Sequence, residues 1–438
     1  MKLHIISLGC AKNLVDTELM LGKLVKSGLV LTEHPEEAEI IIINTCSFVE
    51  SAINESIDTI LELSAFRQDG ICKKLIAVGC LPERFREKIA EALPEVDLFL
   101  GTGAFDKILE AVNGSLTQGS CYLPRPDSLP RQRPDDPRYI STSHMAYIKI
   151  AEGCDKKCTY CIIPGLRGKQ KSRPITDIVS EAERLVSAGV KEILLVAQET
   201  TGYGRDLEPF VGIDNLLKEL AAISDDIWIR VLYSHPESIN ESLIKIIAQH
   251  DNICSYYDIP IQHASNAVLK RMGRQYTRNN LYSLFKKIRL LDPRSALRTT
   301  VITGFPGETE REFQELLNFI QEIRFTHLGA FIYSDSEDLP SHRLPCHVDE
   351  DKAQERYESL MAAQAAISLD NNRMHINGIY KVLLEEKITG NNFKGRTFFQ
   401  APEADGIIYI TADGQQAGDF AMIRVTGAYE YDLTGEAV

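Results

Sequence analysis

Apolar runs of strand length alternate with helical segments along the first 113 residues, and this alternation is what most constrains the fold. The runs read KLHIIS, AEIIIIN, KKLIAV and VDLFL, and a stretch with helical periodicity follows each of them. The continuous IIII run is typical of a strand buried on both faces of a parallel sheet. The pattern predicts a doubly wound parallel α/β domain over residues 1–113. Ser47 and Glu50 within it have the spacing of a helix capping box.

The composition of the chain changes twice after this domain. Residues 114–145 include LPRPDSLPRQRPDDPR, with five prolines and no periodicity, and are predicted to be a linker. Six strand-like runs alternate with helical segments over 146–370, which predicts a partial (β/α)6 barrel, short of the eight units of a closed one. Short β runs between Gly, Asn and Asp turns over 371–438 predict a small all-β barrel of OB-like type.

The overall composition is that of a globular enzyme rather than a membrane protein. Of 438 residues, 44% are hydrophobic and 25% charged. No apolar run approaches the roughly 18–20 residues of a membrane helix, and the N-terminus lacks a signal-peptide layout, so a cytoplasmic location is expected. The net charge of −14 argues against a generic nucleic-acid binder and favours a basic partner.

The strongest chemical signal is the segment EGCDKKCTYCIIP, which carries Cys154, Cys158 and Cys161 as a C-x3-C-x2-C triplet. It follows the first predicted barrel strand, so it lies at the strand end where barrel enzymes carry their active sites. Three thiolates can hold three corners of a cubane iron–sulfur cluster and leave one iron open, because the fourth cysteine of a ferredoxin is missing. The alternative is a structural zinc loop with a distant fourth ligand.

A second set of cysteines closes three predicted strands. Cys10, Cys46 and Cys80 end SLGC, INTC and AVGC, at intervals of 36 and 34 residues. In a parallel sheet all strand ends lie on one edge, so the three thiols converge if their strands are neighbours. Taken singly, each is more simply a buried core residue, but together they predict a second cluster with an open iron. The remaining cysteines lack such a pattern and are predicted not to be ligands: Cys72, Cys121, Cys254 and Cys346.

The C-x3-C-x2-C triplet on a partial barrel resembles the radical S-adenosylmethionine superfamily. The resemblance implies that the open iron binds the methionine part of S-adenosylmethionine, whose cleavage yields a 5′-deoxyadenosyl radical. Tyr160 matches the aromatic residue that lies near the adenine in that superfamily, with ordinary packing as the alternative. Gly304, in VITGFPGET, resembles a backbone contact to the same cofactor, although a strand-end glycine is equally a packing device.

With both triplets considered, the whole chain resembles the methylthiotransferase family, whose C-terminal β domain is of TRAM type. Members insert sulfur into an unactivated C–H bond and methylate it. The resemblance implies two 4Fe-4S clusters, the first held by Cys154, Cys158 and Cys161. The second is held by Cys10, Cys46 and Cys80, and its open iron carries the sulfur. One S-adenosylmethionine then provides the methyl group and another the radical, with electrons from a donor such as flavodoxin or ferredoxin.

Two branches of this family differ in substrate. One modifies isopentenyladenosine in tRNA, and the other modifies the β-carbon of an aspartate in ribosomal protein S12. SLGCAKNLVDTE is similar to the ribosomal-protein branch, whereas the tRNA branch reads GCQMN; YSDSEDLPSHRLP departs from both. Residues 371–438 hold six Lys and Arg against nine Asp and Glu, a net −3, which favours docking a basic ribosomal protein over tRNA. The remaining alternatives are the tRNA enzyme, an iron–sulfur electron carrier and a zinc-stabilised binding module.

Overall fold

A computed structural model describes residues 1–68, 70–116 and 119–438 and begins with a six-stranded, fully parallel sheet. The strands run in the order β2-β1-β3-β4-β5-β6, so the chain reverses its direction of sheet growth between β1 and β3. That reversal is the topological switch point of a doubly wound fold. The strands are β1 (Lys2–Ser7), β2 (Val30–Leu31), β3 (Ile40–Thr45), β4 (Lys74–Gly79), β5 (Leu98–Leu100) and β6 (Cys121–Tyr122).

Helices cover both faces of this sheet, which confirms the predicted fold class. One face packs on α1 (Ala11–Lys26) and α5 (Ile108–Val112). The other packs on α2 (Glu50–Gln68), α3 (Cys80–Phe85) and α4 (Lys88–Ala92). The predicted capping box is wrong, because α2 begins only at Glu50 and the buried Ser47 hydroxyl has no hydrogen-bond partner.

The segment predicted as a linker, 114–145, packs against both domains that it joins. It supplies the edge strand β6, which pairs with β5, and a 3-10 turn at Pro126–Ser128. Arg138, whose side chain is 7% exposed, forms 2.6 Å ion pairs with Glu18 of the sheet domain and Glu181 of the barrel. Thr117 and Gln118, also within the predicted linker, lie outside the described residues.

Six parallel barrel strands follow, as predicted. They form two three-stranded sheets, joined by a parallel bridge between Ile229 and Ile253. The strands are β7 (Met145–Lys149), β10 (Glu192–Val196), β11 (Trp228–Val231), β12 (Tyr256–Asp258), β13 (Ala296–Thr303) and β14 (His327–Ile332), with a short hairpin of β8 (Ala151–Glu152) and β9 (Lys171–Ser172). The helices are α6 (Ile163–Arg167), α7 (Ile175–Ser187), α8 (Ile213–Ala221), α9 (Glu241–Gln249), α10 (Asn266–Arg271), α11 (Arg278–Leu291), α12 (Glu310–Ile323) and α13 (Glu350–Arg373).

Strand β7 shows how the first domain meets the barrel. Ala146 and Ile148 pack into the layer under the outer helices, as the two-residue period of a strand requires. Tyr147 points the other way and packs with Val15 of α1, and Lys149 forms an ion pair with Asp16 of the same helix. Helix α1, which starts directly after Cys10, therefore lies against the concave face of the barrel sheet.

The C-terminal strands close into a five-stranded barrel, as predicted, in the order β15-β16-β17-β19-β18. They are β15 (Ile379–Thr389), β16 (Asn392–Thr397), β17 (Ile408–Thr411), β18 (Phe420–Ala428) and β19 (Leu433–Ala437). Arg396 joins this domain to the larger barrel through an ion pair with Glu192, and both are fully buried. None of the helices within the described ranges is long and apolar enough to cross a membrane.

Candidate active site

The N-terminal triplet lies at the carboxyl edge of the parallel sheet. Cys10 and Cys46 follow β1 and β3, which flank the switch point, and Cys80 follows the adjacent β4. Open α/β sheets bind ligands in the crevice at this point. Strand β3 pairs directly with both β1 and β4, so the three cysteines lie at adjacent strand ends. Cys10 caps α1 and Cys80 opens α3, whereas Cys46 lies four residues before α2.

Two glycines allow the thiols to approach each other. Gly9 precedes Cys10 with a φ of +86°, and a Cβ there would lie 2.8 Å from the sulfur of Cys46. Gly79 precedes Cys80 with a φ of +101°, and a Cβ there would lie 2.4 Å from the amide oxygen of Asn44. Any other residue would push the neighbouring strand ends apart, because these contacts are far inside van der Waals distance.

Buried cations surround the N-terminal triplet. Burial opposes ionisation of Cys10, but the charges of Lys12 and Arg167, with nearby backbone N–H groups, hold its pKa below the usual value. Burial raises the pKa of Cys80 to about 11, and the guanidinium of Arg167, 3.6 Å from its sulfur, opposes that rise. The cations therefore favour the thiolate form of Cys10.

The barrel triplet lies on one loop between β8 and α6. The Cys154 amide donates to Gly168 (3.0 Å) and the Cys161 amide donates to Cys158 (3.2 Å). Thr159 ties the loop to the end of α10, since its amide donates to the carbonyl of Met272 (3.1 Å) and its hydroxyl to that of Arg271 (2.9 Å). Burial raises the pKa of Cys161 to about 12.

Tyr160 and the turn at Gly304 come together beside this loop. The Tyr160 ring packs edge-on to Phe305, the residue after Gly304, with ring centroids 6.4 Å apart. Its hydroxyl accepts hydrogen bonds from Arg274 at 2.5 and 3.1 Å. Gly304 itself packs against Ala353 of α13, where a Cβ would lie 2.5 Å away. Contact of Tyr160 and Gly304 with S-adenosylmethionine stays a prediction.

A cavity of about 1030 Å³ opens between the barrel triplet and the N-terminal domain. All three barrel cysteines line it, and so do Arg84 and Arg86 from the region of α3. Arg84 closes one side, since it bonds Asp338 at 2.8 Å and the carbonyl of Ser47 at 2.5 Å. Asp338 belongs to the segment YSDSEDLPSHRLP, which departs from both family motifs, so this segment anchors α3, the helix that begins at Cys80.

Arg167 joins the two triplets physically, and sequence reasoning missed it. It lies six residues after Cys161, is 2% exposed, and contacts the sulfur of Cys80 as well as Asp16 at 2.7 Å. Lys149 pairs with Asp16 and with Glu152, the latter at 2.5 Å. Burial opposes ionisation of Glu152, but Lys149 and Arg167 lower its pKa to about 2. The available sequence signal concerned Lys149, which is a lysine within the otherwise apolar strand AYIKI.

The donor chemistry at both triplets fits iron–sulfur clusters. Each supplies three thiols at the edge of the protein core, without a fourth cysteine beside them in the described part of the chain. Three thiolates that leave one iron open match a cubane cluster, whereas a structural zinc site needs a fourth ligand. The remaining cysteines are spread over the molecule: Cys72 and Cys254 are buried, Cys121 lies in β6 and Cys346 is exposed.

Comparisons with known proteins match this architecture. Family models match residues 2–101 (Uncharacterized protein family UPF0004), 148–320 (Radical SAM superfamily) and 378–438 (TRAM domain). The chain is 52% identical to a ribosomal protein uS12 methylthiotransferase RimO from Desulfosudis oleivorans, over the full length of both chains. This chain belongs to the RimO family. A family member from Clostridioides difficile is 47% identical over 100% of this chain and 99% of its own.

Solved structures share the fold at low sequence identity. The radical S-adenosylmethionine methyltransferase TsrM from Kitasatospora setae matches with a TM-score of 0.57 and 13% identity, covering 78% of this chain and 74% of its own. The cobalamin-dependent S-adenosylmethionine radical enzyme OxsB matches with a TM-score of 0.52 and 15% identity, covering 84% of this chain and 56% of its own. These structures show that the chain shares the fold of radical S-adenosylmethionine enzymes.

Proposed function

We propose that this chain methylthiolates the β-carbon of an aspartate in ribosomal protein uS12. The observation that carries the proposal is a pair of three-thiol sites, one from each domain. Arg167, six residues after Cys161, contacts the Cys80 sulfur, and the barrel triplet lines a cavity that reaches the N-terminal domain. Full-length relatives carry the name uS12 methylthiotransferase, which supports the choice of substrate.

The cysteines have distinct roles in this proposal. Cys154, Cys158 and Cys161 hold a cluster that binds S-adenosylmethionine, and Cys10, Cys46 and Cys80 hold a second cluster. When bound, the first group supplies one-electron activation of a C–H bond and the second supplies sulfur. Tyr160 and the Gly304 turn contact S-adenosylmethionine on the barrel side. An iron–sulfur electron carrier would not need two sites with a ligand missing.

The protein fixes the two sites relative to each other and shields the reaction. Arg167 and Arg84 are both nearly buried and each bonds a residue of the other domain, so the two domains are held in a fixed arrangement around the cavity. Helix α1 packs on the concave face of the barrel sheet and excludes water from that face. A preorganised site of this kind would keep an unselective carbon radical close to one substrate atom.

We further infer the domain division 1–113, 114–145, 146–370 and 371–438, with the C-terminal domain docking uS12 through its acidic surface. Arg396, one of its six cations, is buried against Glu192 and Glu385, and Asp405, one of its nine acids, is buried against Arg298, so an acidic excess remains at the surface. Glu430→Lys with Glu436→Lys should weaken uS12 binding and its salt dependence. The same charge change at Glu62 and Glu91, which are exposed residues of the first domain, should leave uS12 binding and its salt dependence unchanged.

Mass spectrometry after anaerobic turnover tests the substrate. The reconstituted enzyme is incubated with S-adenosylmethionine, sulfide and a reductant, and receives uS12 or tRNA in separate reactions. The proposal predicts the mass gain of one methylthio group on uS12, located on an aspartate. Mass gain on tRNA alone would establish the tRNA enzyme instead, and cluster reduction without any product would favour the electron carrier.

A further inference from the structure

Lys12, beside the N-terminal triplet, is a buried cation without a carboxylate partner in the described structure. It follows Cys10 in the first turn of α1 and is 9% exposed. Its ammonium lies 3.4 Å from the ring centroid of Tyr233. The other buried cations of this region, Arg167 and Lys149, each have carboxylate partners. Apart from the Cys10 thiol, no anionic group of the described structure pairs with Lys12, which favours a further anionic ligand for this cation.

The position of Lys12 is at the junction of the two domains. Tyr233 comes two residues after β11 and has a left-handed φ of +61°. That conformation is held because the Tyr233 amide donates to Asp258 (2.8 Å) and its carbonyl accepts from Thr200 (3.1 Å). Lys12 thus stands between the N-terminal thiols and the carboxyl ends of the barrel strands, where barrel enzymes bind substrate.

The backbone around Lys12 is rigid. The side-chain amide of Asn13 donates to the carbonyls of Leu8 (2.9 Å) and Thr45 (3.0 Å), and Asn44 donates to the carbonyl of Asn13 (2.9 Å). The first turn of α1 is therefore locked to the ends of β1 and β3. A cation on such a turn is preorganised to hold a ligand group in one place.

We propose that Lys12 binds the side-chain carboxylate of the target aspartate and so determines substrate specificity. The inference rests on the proposed function. In aspartate the β-carbon carries the carboxylate directly, so an ion pair with Lys12 fixes the carbon to be modified one bond away, beside the N-terminal thiols.

A double-mutant cycle tests the contact. Binding and modification are measured with reconstituted enzyme and purified uS12, for wild type and Lys12→Met, each against natural uS12 and a uS12 variant with asparagine at the target position. Each change alone should weaken binding and lower kcat/KM by about tenfold or more, as for loss of a charge-assisted contact. The two changes together should cost no more than either alone. Lys12→Arg, which keeps the charge, should recover most of the binding.

Controls separate this role from folding and from cluster chemistry. Lys26→Met changes an exposed lysine of the same helix and should leave binding unchanged. Iron content should be the same in Lys12→Met and wild type, because Lys12 is not a cluster ligand. Three results would overturn the inference: losses that multiply in the cycle, unchanged binding in Lys12→Met, or a loss of iron with equal loss of activity for both forms of uS12. Failure of the wild type to modify uS12 would instead overturn the proposed function.

Discussion

The two cysteine triplets are assembled in opposite ways. Cys154, Cys158 and Cys161 lie within one loop, whose hydrogen bonds to Gly168 and Met272 fix its shape. Cys10 and Cys80 are 70 residues apart, and only the parallel pairing of β1, β3 and β4 brings them together. The barrel site is therefore a property of a local segment, whereas the N-terminal site is a property of the whole sheet.

The two sites also differ in charge. At the N-terminal triplet, Arg167 lies 3.6 Å from the Cys80 sulfur, and the pKa of Cys10 is lowered by Lys12 and Arg167 against the effect of burial. At the barrel triplet, Arg274 bonds the Tyr160 hydroxyl rather than a thiol, and burial raises the pKa of Cys161 to about 12. Burial also raises the pKa of Cys80, to about 11, so the two sites differ in the cations beside their thiols rather than in the pKa of every thiol.

Loss of one thiol from each site should separate their chemistry most strongly. Cys158→Ala and Cys80→Ala should each lower methylthiolation of uS12 by about 1000-fold or more, because each leaves a cluster site incomplete. Only Cys80→Ala should still form 5′-deoxyadenosine from S-adenosylmethionine, measured by chromatography. Cys346→Ala, an exposed cysteine outside both triplets, should keep full activity. Wild-type methylthiolation in Cys80→Ala would show that the N-terminal triplet is not needed for the reaction.

Gly9→Ala should damage the N-terminal site and spare the barrel site. The left-handed backbone and the clash with Cys46 should cost about 3–4 kcal/mol of stability. Gly28→Ala is the matched control, because its φ of +97° is similar but nothing lies within 4 Å of the added Cβ, so about 1 kcal/mol is expected. Thermal unfolding and iron content measure both effects. Equal destabilisation by the two substitutions would contradict the close packing of the thiols.

Glu308 should make stability depend on pH on the barrel side. It follows the Phe305 turn that packs on Tyr160, and burial, opposed by Arg356, raises its pKa from 4.5 to about 7. The folded chain therefore binds this proton more tightly than the unfolded chain. The resulting stabilisation is complete below pH 4.5 and is lost as the pH rises to about 7, a change of about 3 kcal/mol.

Glu308→Gln should remove that part of the pH dependence. The melting temperature of wild type relative to the variant, measured between pH 4.5 and 8, should fall as the pH rises. The N-terminal cluster should keep its iron in the variant. A wild-type-minus-variant difference that is flat or rises with pH would contradict the assigned pKa.

Tyr160→Phe should have the smallest effect, confined to the barrel site. It removes the acceptor of two Arg274 hydrogen bonds, a loss of about 1–2 kcal/mol that should raise KM for S-adenosylmethionine by less than about tenfold. Tyr203→Phe, which removes a buried hydroxyl bonded to the Arg173 carbonyl elsewhere in the barrel, should leave KM unchanged. An unchanged KM in Tyr160→Phe would remove this residue from the proposed binding site.

The sequence predicts those features that repeat or lie close together along the chain. Strand and helix alternation is enough for the three-domain architecture and for the convergence of Cys10, Cys46 and Cys80 on one sheet edge. Arg167 and Lys12 could not be found in this way, since their burial depends on the packing of one domain against the other. The capping box at Ser47 was wrong for a different reason: a short motif does not determine where a helix begins, and α2 begins three residues later.

Iron content after anaerobic reconstitution tests the central claim, that the chain builds two separate cluster sites. Wild type should bind about eight irons per chain, since each cubane holds four. Replacement of Cys154, Cys158 and Cys161 by alanine should leave about four, and so should replacement of Cys10, Cys46 and Cys80. A wild-type value near four, unchanged in one of the triple variants, would contradict the account.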